Sequence, residues 1–335
     1  MASHPGDDPL IGDISEGRVL RAILSRTEPA AQAIVGPGDD AAVIAAASGS
    51  VVATTDTLVH GPDFRLAWSS GYDLGWKSAA VNLADIAAMG AAPTALLVAL
   101  AVPRDTRLSF VTAMADGLRD ACAALSPGCA VVGGDLTVSD VLTIAVTALG
   151  DLGGRRAVTR SGARQGDVIA LAGELGAAAA GLSVLFGRFR DGDRPVPVDR
   201  SALDARQLQA LQAQLRPTPP IGLGPVAAAA GATAMMDVSD GLGLDAARMA
   251  DASGVTLALD GSALDALVFA GDRARGVAGG EDHGLLATFP AGVLPPGFRA
   301  LGVVTERGVA GVLVDGDPIA DAGWDPYRDW DATAG

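Results

Sequence analysis

The chain has 335 residues, 49% hydrophobic and 19% charged, which excludes a disordered or coiled-coil composition and suggests about two domains. Its net charge of −15, with no Lys/Arg-rich run, argues against nucleic acid as a partner. A phosphorylated substrate would also be repelled unless cations intervene.

The N-terminal stretch MASHPGDDPLIGDISEGR is acidic and has no apolar signal-peptide core, so a soluble, cytoplasmic protein is expected. A first helix is predicted near 15–26, then a turn at GPGDD (36–40) and a strand over 51–55 that ends on Asp56. A helix over 73–90 stops at Gly90, and a strand follows over 94–102. The uncharged run 86–103 is broken by Gly90 and Pro93, so it reads as helix end, turn and buried strand, not as a membrane span.

The next helix is predicted over 108–125, with Phe110, Met114, Leu118 and Cys122 on one face. Strands follow over 130–134, ending on Asp135, and over 141–150. Cys122 and Cys129 match no zinc spacing and read as buried thiols. The Gly- and Arg-rich stretch 151–167 marks a domain boundary.

Beyond it, a strand opens the second half at 168–173, with breaks at 187–200 and 216–224. A strand over 232–238 carries Asp237; a helix over 242–253 and a strand over 255–260 follow. Strands and helices mix in both halves, so each is an α/β or α+β domain.

Asp39, Asp40, Asp56, Asp85, Asp135, Asp237 and Asp240 stand out. Singly, each suits a helix cap or a turn. Together, ionised carboxylates at one site would need cations between them, and with three His and two Cys in the chain the ligands would be oxygens. That chemistry points to Mg²⁺, Mn²⁺ or Ca²⁺ rather than zinc. Thr54, Thr55 and Ser239 add hydroxyls, Gly133 and Gly134 allow close backbone approach, and Arg155, Arg156, Arg160 and Arg164 form a basic cluster suited to phosphate.

No Walker-type phosphate loop or protein-kinase motif set is present. Gly241, Gly243 and Ala246, with Asp260 about twenty residues on, imitate a dinucleotide fingerprint. Bare carboxylates at Asp237 and Asp240 would repel a pyrophosphate there.

The motifs GPGDDAAV, TTDTLV, NLADIAAMGA, VVGGDLT, TRSGARQGD, MDVSDGL and GGED follow one another across 36–282. In this order they resemble the thiamine-monophosphate kinase family of the aminoimidazole-ribonucleotide synthetase superfamily. The resemblance implies a two-domain fold. Residues 1–150 would form a mixed sheet with helices that binds metal and ATP and pairs in a homodimer; residues 151–335 would form an α/β domain completing the cleft.

It implies Mg²⁺-dependent, direct in-line transfer of the ATP γ-phosphoryl group to thiamine monophosphate. Metal ligation falls on Asp40, Thr54, Thr55, Asp56, Asp85, Asp135, Asp237 and Asp240, with Asp56, Asp237 and Asp240 central to catalysis. Nucleotide contact falls on Gly134, Asp135, Arg160 and Ser239; substrate contact falls on Glu281 and Trp324.

The chain departs from the family pattern on the substrate side. Asp63 holds the position of a substrate-contacting His, with His60 three residues earlier; His283 replaces an aromatic; Pro326 stands where a His is usual. A related enzyme with another phosphate acceptor, or an inactive nucleotide-binding homologue, therefore remains an alternative.

Overall fold

The computed structural model describes residues 8–35, 43–319 and 323–324. The first half contains α1 (Glu16–Leu24), β1 (Ala33–Val35), β2 (Val43–Ile44), β3 (Val52–Val59), α2 (Gly71–Ala88), β4 (Ala92–Val102), α3 (Leu108–Leu125), β5 (Ala130–Val138) and β6 (Thr143–Asp151). The second half opens with β7 (Val168–Ala172), α4 (Ala177–Arg188), the small hairpin β8 (Arg190–Asp191) and β9 (Arg194–Pro195), α5 (Ala205–Leu215) and α6 (Leu223–Ala229). It continues with β10 (Ala234–Val238), α7 (Leu242–Ser253), β11 (Val255–Leu259), α8 (Gly261–Asp265) and α9 (Arg273–Ala278). It closes with β12 (Gly284–Phe289), β13 (Arg299–Glu306), β14 (Val312–Val314) and β15 (Asp317–Pro318).

Two mixed sheets organise these elements. The first has the order β3-β6-β4-β5, antiparallel except for the β4/β5 pair. Helix α2 starts on a capping box, in which Ser70 Oγ accepts from Asp73 N and the Asp73 carboxylate accepts from Ser70 N. Helices α2 and α3 pack with almost no gap: a Cβ on Gly75 would lie 2.0 Å from Met114 O. Leu74, Leu83 and Ile86 of α2 join Met114, Leu118 and Cys122 of α3 against Ile144 and Val146 of β6. Burying each large side chain contributes roughly 1.5–3 kcal/mol.

The second sheet has the order β10-β12-β7-β13-β11-β14-β15. The dinucleotide-like stretch is resolved by this order: β10 and β11 are separated by β12, β7 and β13, and Asp260 caps α8 by accepting from Ala263 N at 2.9 Å.

Two strands run further than their acids suggested. β3 continues to Val59 and β5 to Val138, so Asp56 and Asp135 sit within strands instead of ending them. Their backbones stay in the ladder, opposite Val146 and Ala99, because a strand tolerates an acid on whichever face is not packed with apolar groups. Among the described residues, no helix is long and apolar enough to cross a membrane.

Candidate active site

Alternation along β3 decides which of its residues reach the cleft between the two sheets. Thr54 and Asp56 point toward α2, where Thr54 Oγ1 donates to Asp85 Oδ2 at 2.7 Å and Asn82 Oδ1 accepts from Asp56 N at 3.1 Å. Asp85 lies on the last turns of α2, so a strand acid and a helix acid are delivered to one place.

The facing acids come from the end of β10. Asp237 is 4% exposed and its Oδ2 lies 3.0 Å from His283 Nδ1. In the turn that follows, Asp245 of α7 accepts from the backbone N–H groups of Ser239 (3.0 Å) and Asp240 (2.9 Å). Arg248 donates to both Asp245 (2.8 Å) and Asp240 (2.6 Å), which fixes the direction of the Asp240 carboxylate. Asp56, Asp85, Asp237, Ser239 and Asp240 all line one cavity of about 930 Å³.

This cavity holds more negative charge than its surroundings solvate. Burial, reinforced by Asp237 and Asp56, pushes the Asp85 carboxyl up to about 7. Burial, with Asp237 adding to it, also raises Asp56 despite the neighbouring His283. Burial alone would keep His283 neutral, but its hydrogen bond to Asp237 raises it above the usual imidazole range.

The other end of the cavity is less acidic and more apolar. Lys77, the only lysine in the sequence and 4% exposed, pairs through Nζ with Glu281 Oε1 at 2.7 Å. Gln214 Nε2 donates to Glu281 Oε2 at 2.5 Å. Against burial, the Lys77 ammonium holds the Glu281 carboxyl below its ordinary range. Trp68 and Phe186 form an edge-to-face pair at 4.9 Å, and Trp324, anchored by its backbone N–H on Asp240 O at 2.9 Å, completes the rim. Asp63 lines this end as well; its Oδ2 accepts from Val59 N at 2.7 Å, and burial raises its carboxyl. His60 instead packs on Phe64, with ring centroids 5.6 Å apart.

Residues 38–152 match the family described as AIR synthase related protein, N-terminal domain. The chain is 40% identical to thiamine-monophosphate kinase of Mycobacterium tuberculosis (strain CDC 1551 / Oshkosh) over 97% of its own length and 93% of that protein. It is 42% identical to thiamine-monophosphate kinase of Corynebacterium glutamicum over 90% and 89% of the two chains. The solved structure of AaThiL complexed with AMPPCP and TMP superposes with a TM-score of 0.71 at 31% identity, covering 85% of this chain and 90% of that one. The chain belongs to the thiamine-monophosphate kinase family.

Not every residue singled out by the family motifs reaches the cleft. Thr55 bonds Thr147 across β3 and β6, Thr147 faces Leu97, and Ala99, two residues on, faces Asp135; all of these lie on the sheet's other face. Gly134 belongs to the same strand, and its missing side chain is required by β4, since a Cβ there would lie 1.9 Å from Val98 O. Arg160 is exposed on the loop before β7 and holds Ser253 through its carbonyl. Asp40 lies outside the described residues.

The family motifs leave unmarked several residues that shape the site: Lys77, Gln214, Asp245 and Arg248. Lys77 carried a signal, as the sole lysine in the chain, set in a mostly apolar helical run. Gln214 and Arg248 carried none, because their partners are distant in sequence or repeat an ordinary helix spacing.

Proposed function

We propose that this chain transfers the γ-phosphoryl group of ATP to thiamine monophosphate, giving thiamine diphosphate and ADP. The observation that carries the reading is its similarity, over 85% of its length, to the relative complexed with AMPPCP and TMP. AMPPCP keeps the charge of ATP and replaces the β,γ-bridging oxygen by carbon, so that pair of ligands represents a donor and an acceptor.

Asp56, Asp85, Asp237 and Asp240 are the residues that would hold Mg²⁺. Their hard oxygen donors, and the raised carboxyls of Asp56 and Asp85, fit a divalent cation. Among the described residues, no three acidic or imidazole side chains are already set as a metal cage. Mg²⁺ keeps waters and takes further oxygens from nucleotide phosphates. When bound, the metal would supply the positive charge that lets two anionic reactants meet.

The chain's own groups perform the rest. Arg248 orients Asp240, His283 orients Asp237, and Ser239 offers a hydroxyl to phosphate. Glu281, Asp63 and Trp324, with the Trp68–Phe186 wall, would position the acceptor. The acceptor phosphate is a monoester already largely ionised at neutral pH, so attack needs no strong general base. Such transfers depend on alignment and charge neutralisation.

Residues 1–150 would act as the metal and nucleotide domain and 151–335 as the domain completing the cleft. A cytoplasmic homodimer paired through the open face of the first sheet is part of the reading. That face and α1 expose Leu24 (36%) and Leu97 (36%) around an apolar hollow of about 820 Å³. Thr55 and Asp135 lie on this side, so their proposed metal contacts depend on the pairing; Gly134, in register with Val98, Val146 and Asp56, has the parity of the cleft face, and Arg160 would reach the nucleotide from its loop. Incubation with Mg-ATP and thiamine monophosphate should yield thiamine diphosphate and ADP in equal amounts. Hydrolysis of ATP independent of the acceptor would replace this reading with that of a kinase for another substrate.

A further inference from the structure

Glu281 and His283 both adopt left-handed backbone conformations, with φ of 69° and 53°, which non-glycine residues seldom take. Between them, Asp282 turns its carboxylate away from the cleft. It accepts from Gly176 N at 2.5 Å and Ala178 N at 2.7 Å, the first amides of α4. Helix α4 has no capping side chain of its own, since Gly176 occupies that position, so the cap comes from a residue more than a hundred positions away. A serine or aspartate at 176 could not substitute, because Gly176 has φ +83° and a Cβ would lie 3.0 Å from Gly276 N.

The two sides of this turn are tied to different parts of the cleft. Glu281 N donates to Ser239 O at 2.8 Å and His283 N to Val238 O at 3.0 Å, stitching the turn to the acids at the end of β10. Through Asp282, the same turn holds α4, whose Ala179, Leu182, Ser183 and Phe186 line the apolar end of the cavity.

We propose that Asp282 is a positioning residue: its two bonds to the start of α4 keep the strained turn aimed into the cleft and fix the α4 wall relative to the acids of β10. The inference rests on the reading that the α4 side receives the phosphate acceptor. Without the carboxylate, two amides at the start of α4 lose their acceptor, and the strained turn keeps its bonds to β10 and Lys77 but loses its tie to α4.

The test uses full-length Asp282→Ala and Asp282→Asn. The alanine variant should raise the acceptor KM about tenfold or more while the ATP KM stays within about threefold. The asparagine variant, which keeps one acceptor oxygen, should recover part of that loss. Hydrogen exchange should show the amides of Gly176, Ala178, Glu281 and His283 losing protection together in the alanine variant, while α3 keeps its own.

Wild-type acceptor KM in the alanine variant, or equal rises in both KM values, would overturn the proposal, the latter because it marks general loosening. So would loss of protection in α4 without the turn, or no loss at all. If the wild-type chain makes no thiamine diphosphate, the reaction reading fails by itself, and joint or separate loss of exchange protection still decides whether Asp282 couples the two segments.

Discussion

On one face of the four-stranded sheet, Thr54 and Asp56 look across at Asp85 and toward the second sheet, among carboxyls pushed upward by burial and by one another. On the other face lies Thr55, and Leu97, Ala99, Asp135 and Thr147 border an apolar hollow, the one acid among them exposed. The same strands make both. Thr54 and Thr55 are neighbours in sequence yet belong to different chemistries, since successive strand side chains point to opposite faces. An acid on a strand therefore takes its role from its parity and from what packs against that face, more than from the motif around it.

The comparison breaks first at Asp56. Asp56→Asn removes a charge from the cleft face and should lower kcat by about a thousandfold or more, with the fold intact. A rate within tenfold of wild type would mean that the cleft face is not where the reacting phosphates meet. The open face is probed by Leu97→Asp, which puts a charge on the surface proposed to pair two chains. Sedimentation should show the dimer dissociation constant rising about a hundredfold, whereas an unchanged constant would assign that face no partner role.

Between these two lies Lys77→Met. The buried pair with Glu281 is broken and a carboxylate is left beside the acceptor end, so the acceptor KM should rise about tenfold with little change in the ATP KM. An equal effect on both substrates would tie Lys77 to the nucleotide instead.

How much of this could be read beforehand differs by element. Helices α3 and α7 were legible to their ends: an apolar face at helical spacing marks α3, and α7 is closed by Gly254 in a left-handed conformation. Helix α4, AAAAGLSVLFGR, was not, since its small residues give little contrast between faces and its cap is Asp282, far along the chain. Asp56, Asp85, Asp237 and Asp240 were legible as unusual acids and do share a cavity. Asp135 was legible as an acid but not by face: that depends on the register of β4 and β5, which slips between Leu96 and Leu97. The ion pair of Lys77 with Glu281 spans both halves of the chain, and no local pattern encodes it.

The smallest expected effect separates the two faces without any assay of turnover. Asp85 has a folded-state value of about 7 against an ordinary 3.8, so the metal-free fold holds a proton there that the unfolded chain releases. Stability from this group is fully present below about 3.8 and is lost as pH rises through about 7. Asp245 and Asp282, each raised to about 6 chiefly by burial, act in the same direction but mostly at lower pH. Glu281 acts oppositely, its lowered carboxyl costing stability only in acid. Between pH 6 and 8 in a chelator, the wild-type melting temperature should therefore fall, and Asp85→Asn should remove about 2 °C or more of that fall. Mg²⁺ at pH 8 should raise the wild-type value and raise the variant's less, because a neutral amide binds the cation more weakly than the carboxylate. Thr55→Val, on the exposed face and without a titrating group, should follow wild type at every pH. If it flattens the slope as Asp85→Asn does, the two faces share one electrostatic environment and the division drawn from strand parity is wrong.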